Sequence, residues 1–207
     1  MQPVIGVVGG HGGVGASSLA AVLASVAGAS LVDVDPSGGG IDVLLGIEDV
    51  AGARWSALRL GGGSLDAVAL TAALPRWGEV AVLAADAEPH HVDEVVQALG
   101  SVAPVILDLP RCSGEPLEAA AALCSLVVVL VAAEVRPLVA ARTLIAGLPQ
   151  VPTGVVARPG AVPAAQLAHY LAAPLLGALP GRCLVRPGRP LPRAAVRLAQ
   201  SLLQGSS

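Results

Sequence analysis

Five glycines lie within seven residues near the start of the chain, in the segment 9–15 with the sequence GGHGGVG. The apolar run 4–8 before them predicts a buried strand, and the Ala- and Leu-rich run after Ser18 predicts a helix. A strand, a glycine-rich loop and a helix N-terminus together point backbone N–H groups at a phosphate. The segment fits the phosphate-loop spacing G-x-x-x-x-G-K-[ST] except at the lysine position, which is Ala16. This spacing favours a phosphate loop over a tight turn that binds nothing, but the residues alone leave nucleotide binding open.

Oxygen donors suited to magnesium accompany this loop. The residues that the loop would bring to a nucleotide are Gly10, His11, Gly12, Gly13, Val14, Gly15, Ala16, Ser17 and Ser18. Phosphate loops place the hydroxyl at the position of Ser17 on magnesium. Asp108 follows the apolar run 104–107, where a carboxylate could hold the same ion directly or through water. For any one aspartate, the alternative is a strand-end carboxylate that caps a nearby turn.

Apolar segments alternate with helix-forming segments along the whole chain. The predicted strands are 4–8, 30–34, 80–84, 105–108, 126–131, 154–157 and 175–179. The predicted helices are 16–26, 41–45, 65–73, 92–99, 116–124, 135–148, 163–171 and 192–203, with Ser64 as the N-cap of the third. Strands that are apolar throughout and interleaved with helices favour a mostly parallel sheet covered on both faces. We therefore predict one α/β domain over residues 1–207, with three layers (αβα) and a sheet of about seven strands.

The predicted sheet also indicates where a ligand would bind. Ligands of such sheets bind beyond the carboxyl ends of the strands. Gly9, Asp35 and Asp108 all lie at predicted strand ends. The segment 47–63 between the second and third strands shows no periodic pattern, and we predict that it is irregular.

Composition restricts the cellular setting. The hydrophobic fraction is 54%, but the longest apolar block without charge, 119–133, is shorter than the about 20 residues of a spanning helix. The first arginine is Arg54, so the N-terminus lacks the basic region of a secretory signal. Cys112, Cys124 and Cys183 are odd in number and lack zinc-site spacing, which favours free thiols in a reducing cytosol.

Charge is divided unevenly along the chain, and all 12 basic residues are arginine. Residues 1–134 carry 15 acids and 4 arginines, whereas residues 135–207 carry 8 arginines and no acid. A one-sided basic segment is typical of contact with nucleic acid, anionic lipid or an acidic protein. We expect instead that the two halves neutralise each other within one fold. Only 1% of residues are aromatic, which argues against base stacking and therefore against nucleic-acid recognition.

Three segments carry a resemblance to a known family. GGHGGVGASSLA resembles the deviant phosphate loop K-G-G-x-G-K-[ST] of the ParA/MinD family, and alanine at the later lysine is similar to the CpaE/TadZ branch. The segment 31–48, LVDVDPSGGGIDVLLGIE, resembles switch I of that branch. The segment 105–111, VILDLPR, resembles its Walker B strand and switch II. The chain most resembles the actinobacterial CpaE-like group called septum site-determining proteins, found near helicase and secretion genes.

This resemblance implies a deviant-Walker P-loop NTPase fold that binds ATP or ADP with Mg²⁺. It places Asp33 on switch I near the metal with Ser17 and Asp108, and it makes Asp35 the candidate to orient an attacking water. It also implies a homodimer, protein partners in division or in secretion and pilus assembly, and a C-terminal amphipathic helix at the membrane. The protein would then be cytoplasmic or peripheral at the membrane, pole or septum. Relatives usually carry a receiver-like domain before the loop; Met1 lies three residues before the first strand, so we expect none here.

Both family lysines are absent, because His11 replaces the earlier one and Ala16 the later one. A hydrogen bond to a charged group contributes about 1.5–3 kcal/mol, so each loss weakens phosphate binding about tenfold to a hundredfold. Phosphoryl transfer depends on electrostatic stabilisation, so turnover should suffer more. The family's adenine-reading Asn is also missing, because residues 157–159 read Ala-Arg-Pro. We therefore predict weak or absent ATP binding and negligible hydrolysis.

Three functional interpretations follow from these residues. The first is a catalytically impaired ParA/MinD-like positional or assembly factor for septum placement or for a pilus or secretion machine. The second is an active ATPase of the same family, against which the missing lysines argue. The third is a non-specific nucleic-acid-binding module that uses the basic C-terminal third through phosphate contacts alone. We favour the first. Within it, the helix 192–203 has an Ala-rich apolar face without aromatic residues, so we expect it to dock on the domain rather than on a membrane.

Overall fold

The computed structural model describes residues 1–59, 65–112, 114–181 and 185–205. Its strands are β1 (Val4–Gly9), β2 (Ser30–Asp33), β3 (Arg76–Trp77), β4 (Val80–Leu83), β5 (Val105–Asp108), β6 (Leu126–Ala132), β7 (Thr153–Arg158) and β8 (Leu175–Ala178). Its helices are α1 (Ala16–Ala27), α2 (Ile41–Leu45), α3 (Ala67–Ala73), α4 (Val92–Val102), α5 (Glu115–Ala122), α6 (Val135–Ala146), α7 (Ala164–Leu171) and α8 (Arg193–Gly205). The predicted cap Ser64 and the thiol of Cys183 lie outside the described residues.

The eight strands form one sheet in the order β3-β4-β2-β5-β1-β6-β7-β8. All neighbours are parallel except β3 and β4, which pair antiparallel at one edge. β1 lies between β5 and β6, and β2 lies directly beyond β5. The carboxyl ends of β1, β2 and β5 are therefore adjacent, at the edge of the sheet where ligands of parallel sheets bind.

Helices cover both faces of this sheet, which confirms the predicted three-layer α/β architecture. Successive residues of β1 point to opposite faces, so Ile5 and Val7 join one apolar cluster and Val4 and Val8 join the other. The first cluster includes buried residues of α1, α2 and α8, and the second includes residues of α3, α4 and α5. Among the described helices, none is long and apolar enough to cross a bilayer.

Three local features differ from the prediction. The sheet has eight strands rather than about seven, because the two-residue edge strand β3 gives no periodic pattern. α3 begins at Ala67 rather than residue 65, because the Asp66 carboxylate accepts hydrogen bonds from the N–H groups of Val68 and Ala69 and acts as the N-cap. The segment predicted to be irregular contains a short 3-10 helix, Trp55–Ala57, in its described part.

Two ion pairs within the described ranges lie entirely in the acidic half of the chain. The ion pairs found there join Arg54 to Asp42 and His91 to Glu94, and all four residues belong to the acidic half. That the charges of the two halves neutralise each other therefore stays a prediction. Arginines of the basic half such as Arg136, in α6, are exposed.

Helix α8 docks on the domain through its apolar face, as predicted. Ala195, Leu198, Ala199 and Leu202 are all buried and join the same apolar cluster as α1. Leu198 also lies against β8, where a Cβ at Gly177 would come within 2.4 Å of the leucine Cδ1. The opposite face is exposed and polar. The apolar face that would insert into a membrane is thus covered by the domain, and membrane contact through 192–207 stays an expectation from the resemblance.

This packing predicts a large loss of stability in the double variant Leu198→Ala/Leu202→Ala. Truncating a buried leucine typically costs about 2–5 kcal/mol, so we expect the free energy of unfolding to fall by at least about 3 kcal/mol. Denaturant titration measures this, with Arg193→Ala/Arg197→Ala on the exposed face as the matched control, expected within about 0.5 kcal/mol of wild type. An unchanged unfolding midpoint in the leucine variant, combined with lost liposome binding, would show instead that this face serves a membrane.

Candidate functional site

The glycine-rich loop leads from the centre of the sheet into helix α1. Gly13 has a φ of 72° and Gly15 a φ of 94°, a left-handed conformation in which a side chain is strained. Gly15 is the N-cap of α1 and offers no side-chain hydrogen bond to the first turn. The N–H groups at this helix end therefore remain available to an anion, as the phosphate-loop spacing predicts.

Gly10 and Gly12 lie close to residues outside the glycine-rich loop. The Gly10 N–H donates to the Leu130 carbonyl over 2.9 Å, and a Cβ at Gly10 would lie 2.8 Å from that of Ala141 in α6. Gly10 thus allows α6 to approach the loop closely. A Cβ at Gly12 would instead lie 3.4 Å from Nη1 of Arg111. Both glycines were predicted to contact the nucleotide, and that contact stays a prediction.

A cleft of about 460 Å³ opens in front of the loop at the carboxyl ends of β1, β2 and β5. The predicted site residues that line it are His11, Gly13, Val14, Gly15, Ala16, Ser17, Ser18, Asp33, Asp35 and Asp108. Its far wall is formed by the segment 38–44, which includes the start of α2, and by Leu109 and Arg111. The structure therefore brings the loop and all three predicted aspartates to one cavity.

Asp108 and Asp33 are buried side by side. They are register partners at the ends of β5 and β2, and their exposed fractions are 6% and 3%. Burial raises the pKa of Asp108 to about 8; repulsion from Asp33 adds to this shift, and a hydrogen bond from the Ser17 side chain opposes it. Burial likewise raises the pKa of Asp33 to about 6, against hydrogen bonds from backbone N–H groups. Two adjacent buried carboxylates with raised pKa values favour a bound cation or proton between them.

Asp33 holds the loop that forms the far wall of the cleft. Its Oδ1 accepts the Asp35 N–H over 3.0 Å, and its Oδ2 accepts the Ile41 N–H over 3.2 Å. The Trp55 indole N–H donates to the Asp33 backbone carbonyl over 2.7 Å. Both carboxylate oxygens of Asp33 therefore already have backbone partners. These contacts make Asp33 an anchor of the segment 35–41, and its role as a metal ligand stays a prediction.

Asp35 stands in the same cleft in a less buried position. Its Oδ1 accepts the Ser37 N–H over 3.0 Å, and its backbone carbonyl accepts the Gly38 N–H over 3.1 Å. This turn directs the chain towards α2 and leaves the second carboxylate oxygen without a hydrogen bond among the described residues. Asp35 is placed where it could face a substrate water, as the resemblance to switch I implies.

The two positions of the family lysines are both at the cleft. Ala16 is the first residue of α1 and brings only a methyl group to the cavity. His11 Nδ1 lies 2.9 Å from the Gly12 carbonyl oxygen, and Nε2 is buried with no hydrogen-bond partner among the described residues. The loop thus has no ammonium group at either position.

The donor set fits Mg²⁺. Ser17 and Asp108 provide a hydroxyl and a carboxylate next to the helix N-terminus, and hard oxygen donors are the ligands that this ion prefers. No cluster of three or more His, Cys, Asp or Glu side chains suited to a metal occurs in the described ranges. Mg²⁺ is generally bound by one or two protein carboxylates, with phosphate oxygens and water as its other ligands.

Curated proteins of Mycobacterium tuberculosis resemble this chain in sequence. No protein-family model matches the chain. An uncharacterized protein of Mycobacterium tuberculosis strain H37Rv is 39% identical over 217 aligned residues, which cover 98% of this chain and 57% of that protein. Its counterpart in strain CDC 1551 matches equally. The chain therefore spans little more than half the length of the curated relatives it matches, and they are described only as uncharacterized.

Solved structures show the fold. The MinC:MinD cell division protein complex from Aquifex aeolicus aligns with a TM-score of 0.74 at 17% identity, covering 98% of this chain and 96% of that one. The septum site-determining protein MinD from Pyrococcus horikoshii, complexed with Mg-ADP, aligns with a TM-score of 0.66 at 18% identity, covering 100% and 99%. A ParA family ATPase from Chlorobium tepidum aligns with a TM-score of 0.65 at 13% identity, covering 99% and 91%. The chain therefore has the P-loop fold of MinD- and ParA-type proteins.

Proposed function

We propose that this chain is a catalytically impaired member of the ParA/MinD family, of the CpaE/TadZ-like branch. It acts as a positional or assembly factor, in septum-site determination or in localising a pilus or secretion machine. The observation that carries this proposal is the contrast within one site. The loop, the helix N-terminus and the carboxylates line a cleft, yet Ala16 and His11 stand at the two lysine positions. Such a site retains shape for a nucleotide but lacks the charge that accelerates phosphoryl transfer.

In this proposal the cleft binds ATP or ADP weakly with Mg²⁺. The N–H groups of the segment 13–18 face the phosphates, and Ser17 and Asp108 hold the metal, which supplies charge neutralisation at the phosphates. Asp33 supports the site by holding the segment 35–41, which leads into the far wall of the cleft, through its carboxylate hydrogen bonds. Asp35 is the vestigial catalytic residue, placed to orient a water but without a lysine to stabilise the transition state.

The alternative of an active ATPase draws support from the fold alone, since the MinD of Pyrococcus horikoshii is complexed with Mg-ADP. The missing lysines weigh against it here. The second alternative, a non-specific nucleic-acid-binding module, draws support from exposed C-terminal arginines such as Arg136, Arg193 and Arg197. Scarce aromatic residues leave it only phosphate contacts.

Partners of the proposed factor are proteins of the division or secretion machinery. The MinD of Aquifex aeolicus is found in a complex with MinC, and a comparable protein contact is proposed for this chain. We place it in the cytoplasm, or peripherally at the membrane, pole or septum through such a partner. A homodimer fits the family, but it would rest on apolar surface or on the oppositely charged halves rather than on nucleotide.

The proposal predicts that self-association is indifferent to ATP. In the family the earlier lysine reaches the partner's phosphates across a nucleotide-sandwich dimer, and His11 is too short to reproduce that contact. Sedimentation velocity with and without magnesium ATP should give the same sedimentation coefficient, and phosphate release should equal the protein-free background. An ATP-driven dimer, or turnover well above background, would restore the active ATPase as the better interpretation.

A further inference from the structure

One arginine lies in the cleft where the lysines are missing. Arg111 comes three residues after Asp108, in the segment that follows β5. Within the described residues, it is the only arginine that lines the cleft, and the chain contains no lysine. The other cleft side chains with formal charge are carboxylates. Among the described residues, Arg111 is therefore the one that brings a permanent positive charge to this cleft.

The guanidinium of Arg111 lies over the glycine-rich loop. A Cβ built on Gly12 would be 3.4 Å from Nη1, 3.6 Å from Cζ and 3.8 Å from Nη2, so the planar group covers the Gly12 backbone. These are ordinary van der Waals distances, so the guanidinium lies in close contact with the loop at position 12.

The hydrogen-bonding capacity of this guanidinium is unused. Arg111 makes no hydrogen bond and no ion pair among the described residues, although three carboxylates line the same cleft. Its side chain is exposed to the cavity. A guanidinium has five N–H donors in a planar fork that matches the oxygens of a phosphate. Arg111 and the first residues of α1 line the same cavity, so both can offer N–H donors to one anion there.

We propose that Arg111 is the phosphate-binding cation of this cleft and takes over, from the segment after β5, part of the charge lost at Ala16 and His11. The inference rests on the proposed function in one respect, namely that the cleft binds a nucleotide diphosphate or triphosphate. It goes beyond it by assigning the contact to a residue outside the loop. The guanidinium then pairs bidentately with phosphate oxygens while the loop N–H groups bind from the other side.

The experiment measures binding of a fluorescent ADP analogue with Mg²⁺ by anisotropy, in wild type, Arg111→Ala and Arg111→Lys. Arg197→Ala is the control, because Arg197 is exposed on α8 and its loss changes the net charge equally. We expect Arg111→Ala to raise the Kd about tenfold to a hundredfold, Arg111→Lys to keep part of the affinity, and Arg197→Ala to match wild type. In Arg111→Ala, inorganic pyrophosphate should compete with the ADP analogue more weakly than it does in wild type. Adenosine, which has no phosphate, should compete equally in both proteins.

The outcomes separate this inference from the proposed function. A Kd for Arg111→Ala within about twofold of wild type would overturn the role of Arg111. Absence of binding by wild type at millimolar nucleotide would also overturn it, while the impaired positional factor would stand. Tight binding with rapid turnover would refute the impaired factor, and the comparison of Arg111→Ala with Arg197→Ala would still decide whether Arg111 contacts phosphate. Circular dichroism of each variant excludes misfolding as the cause.

Discussion

Restoring the two lysines should convert this site into a strong nucleotide binder. The Ala16→Lys variant should tighten binding of magnesium ADP by about tenfold to a hundredfold, because an ammonium group at the start of α1 would reach phosphates held by the loop. The cleft is open in front of Ala16, so the lysine side chain has room to extend. Adding His11→Lys supplies the charge that crosses a dimer in the family. We therefore expect the double variant to dimerise when ATP is present.

Calorimetric titration measures the affinities, and sedimentation velocity measures the dimer. Ser25→Lys is the matched control, because Ser25 is exposed on the same helix and adds the same charge far along α1 from the loop. It should leave both affinity and association at the wild-type values. If Ala16→Lys bound no more tightly than Ser25→Lys, the missing lysine would not be what limits this cleft.

Removing the carboxylate charge of Asp108 should stabilise the metal-free protein at high pH. Because burial raises the folded pKa of Asp108 to about 8, above its ordinary value of 3.8, the folded state binds its proton more tightly than the unfolded chain. The stability that this proton brings is fully present below about pH 4 and is lost as the pH rises towards 8. The variant Asp108→Asn escapes this loss. We expect its unfolding temperature in EDTA to exceed that of wild type at pH 8 by several degrees, and to differ little at pH 4.

A matched control separates the buried pair from net charge. Glu79→Gln removes one negative charge from an exposed position and should leave the unfolding temperature nearly unchanged at both pH values. Magnesium should then narrow the difference between wild type and Asp108→Asn, because only the carboxylate recruits the ion. A lower unfolding temperature for Asp108→Asn at pH 8 without metal would contradict the account of repulsion between Asp33 and Asp108.

The fold could be predicted from sequence because its signals are local and repeated. Apolar strands such as 105–108 were predicted with their observed bounds, since a short apolar run between a proline and an aspartate admits few alternatives. Gly28, in a left-handed conformation, closes α1 close to its predicted end. By contrast, β3 (Arg76–Trp77) has no pattern of its own and exists because β4 offers it an edge. The N-cap of α3 is Asp66, whereas Ser64 was predicted, because spacing does not distinguish between neighbouring polar residues.

Part of the candidate site could also be predicted from the sequence, and part of it could not. The sequence placed the loop, Ser17 and the three aspartates at one edge of the sheet, because strand ends in a parallel sheet converge there. It did not reveal that Asp33 would use both oxygens on backbone N–H groups, since those donors come from a loop up to eight residues further on. It also missed Arg111 as a cleft residue, although the segment VILDLPR contained it. Arg111 and Gly12 are 99 positions apart in the sequence, so their proximity is a tertiary contact that no local pattern encodes.

We propose that this loop has the shape of a phosphate loop without its lysine charges, and calorimetric titration of the unmodified protein with magnesium ATP tests this most directly. Because each missing charged hydrogen bond weakens binding about tenfold to a hundredfold, we expect a Kd weaker than about 100 μM. Arg111 can restore part of this loss without reaching the affinity of a site that has both lysines. A sub-micromolar Kd for ATP would contradict the account, because it would show that the absence of lysine at positions 11 and 16 does not impair this site.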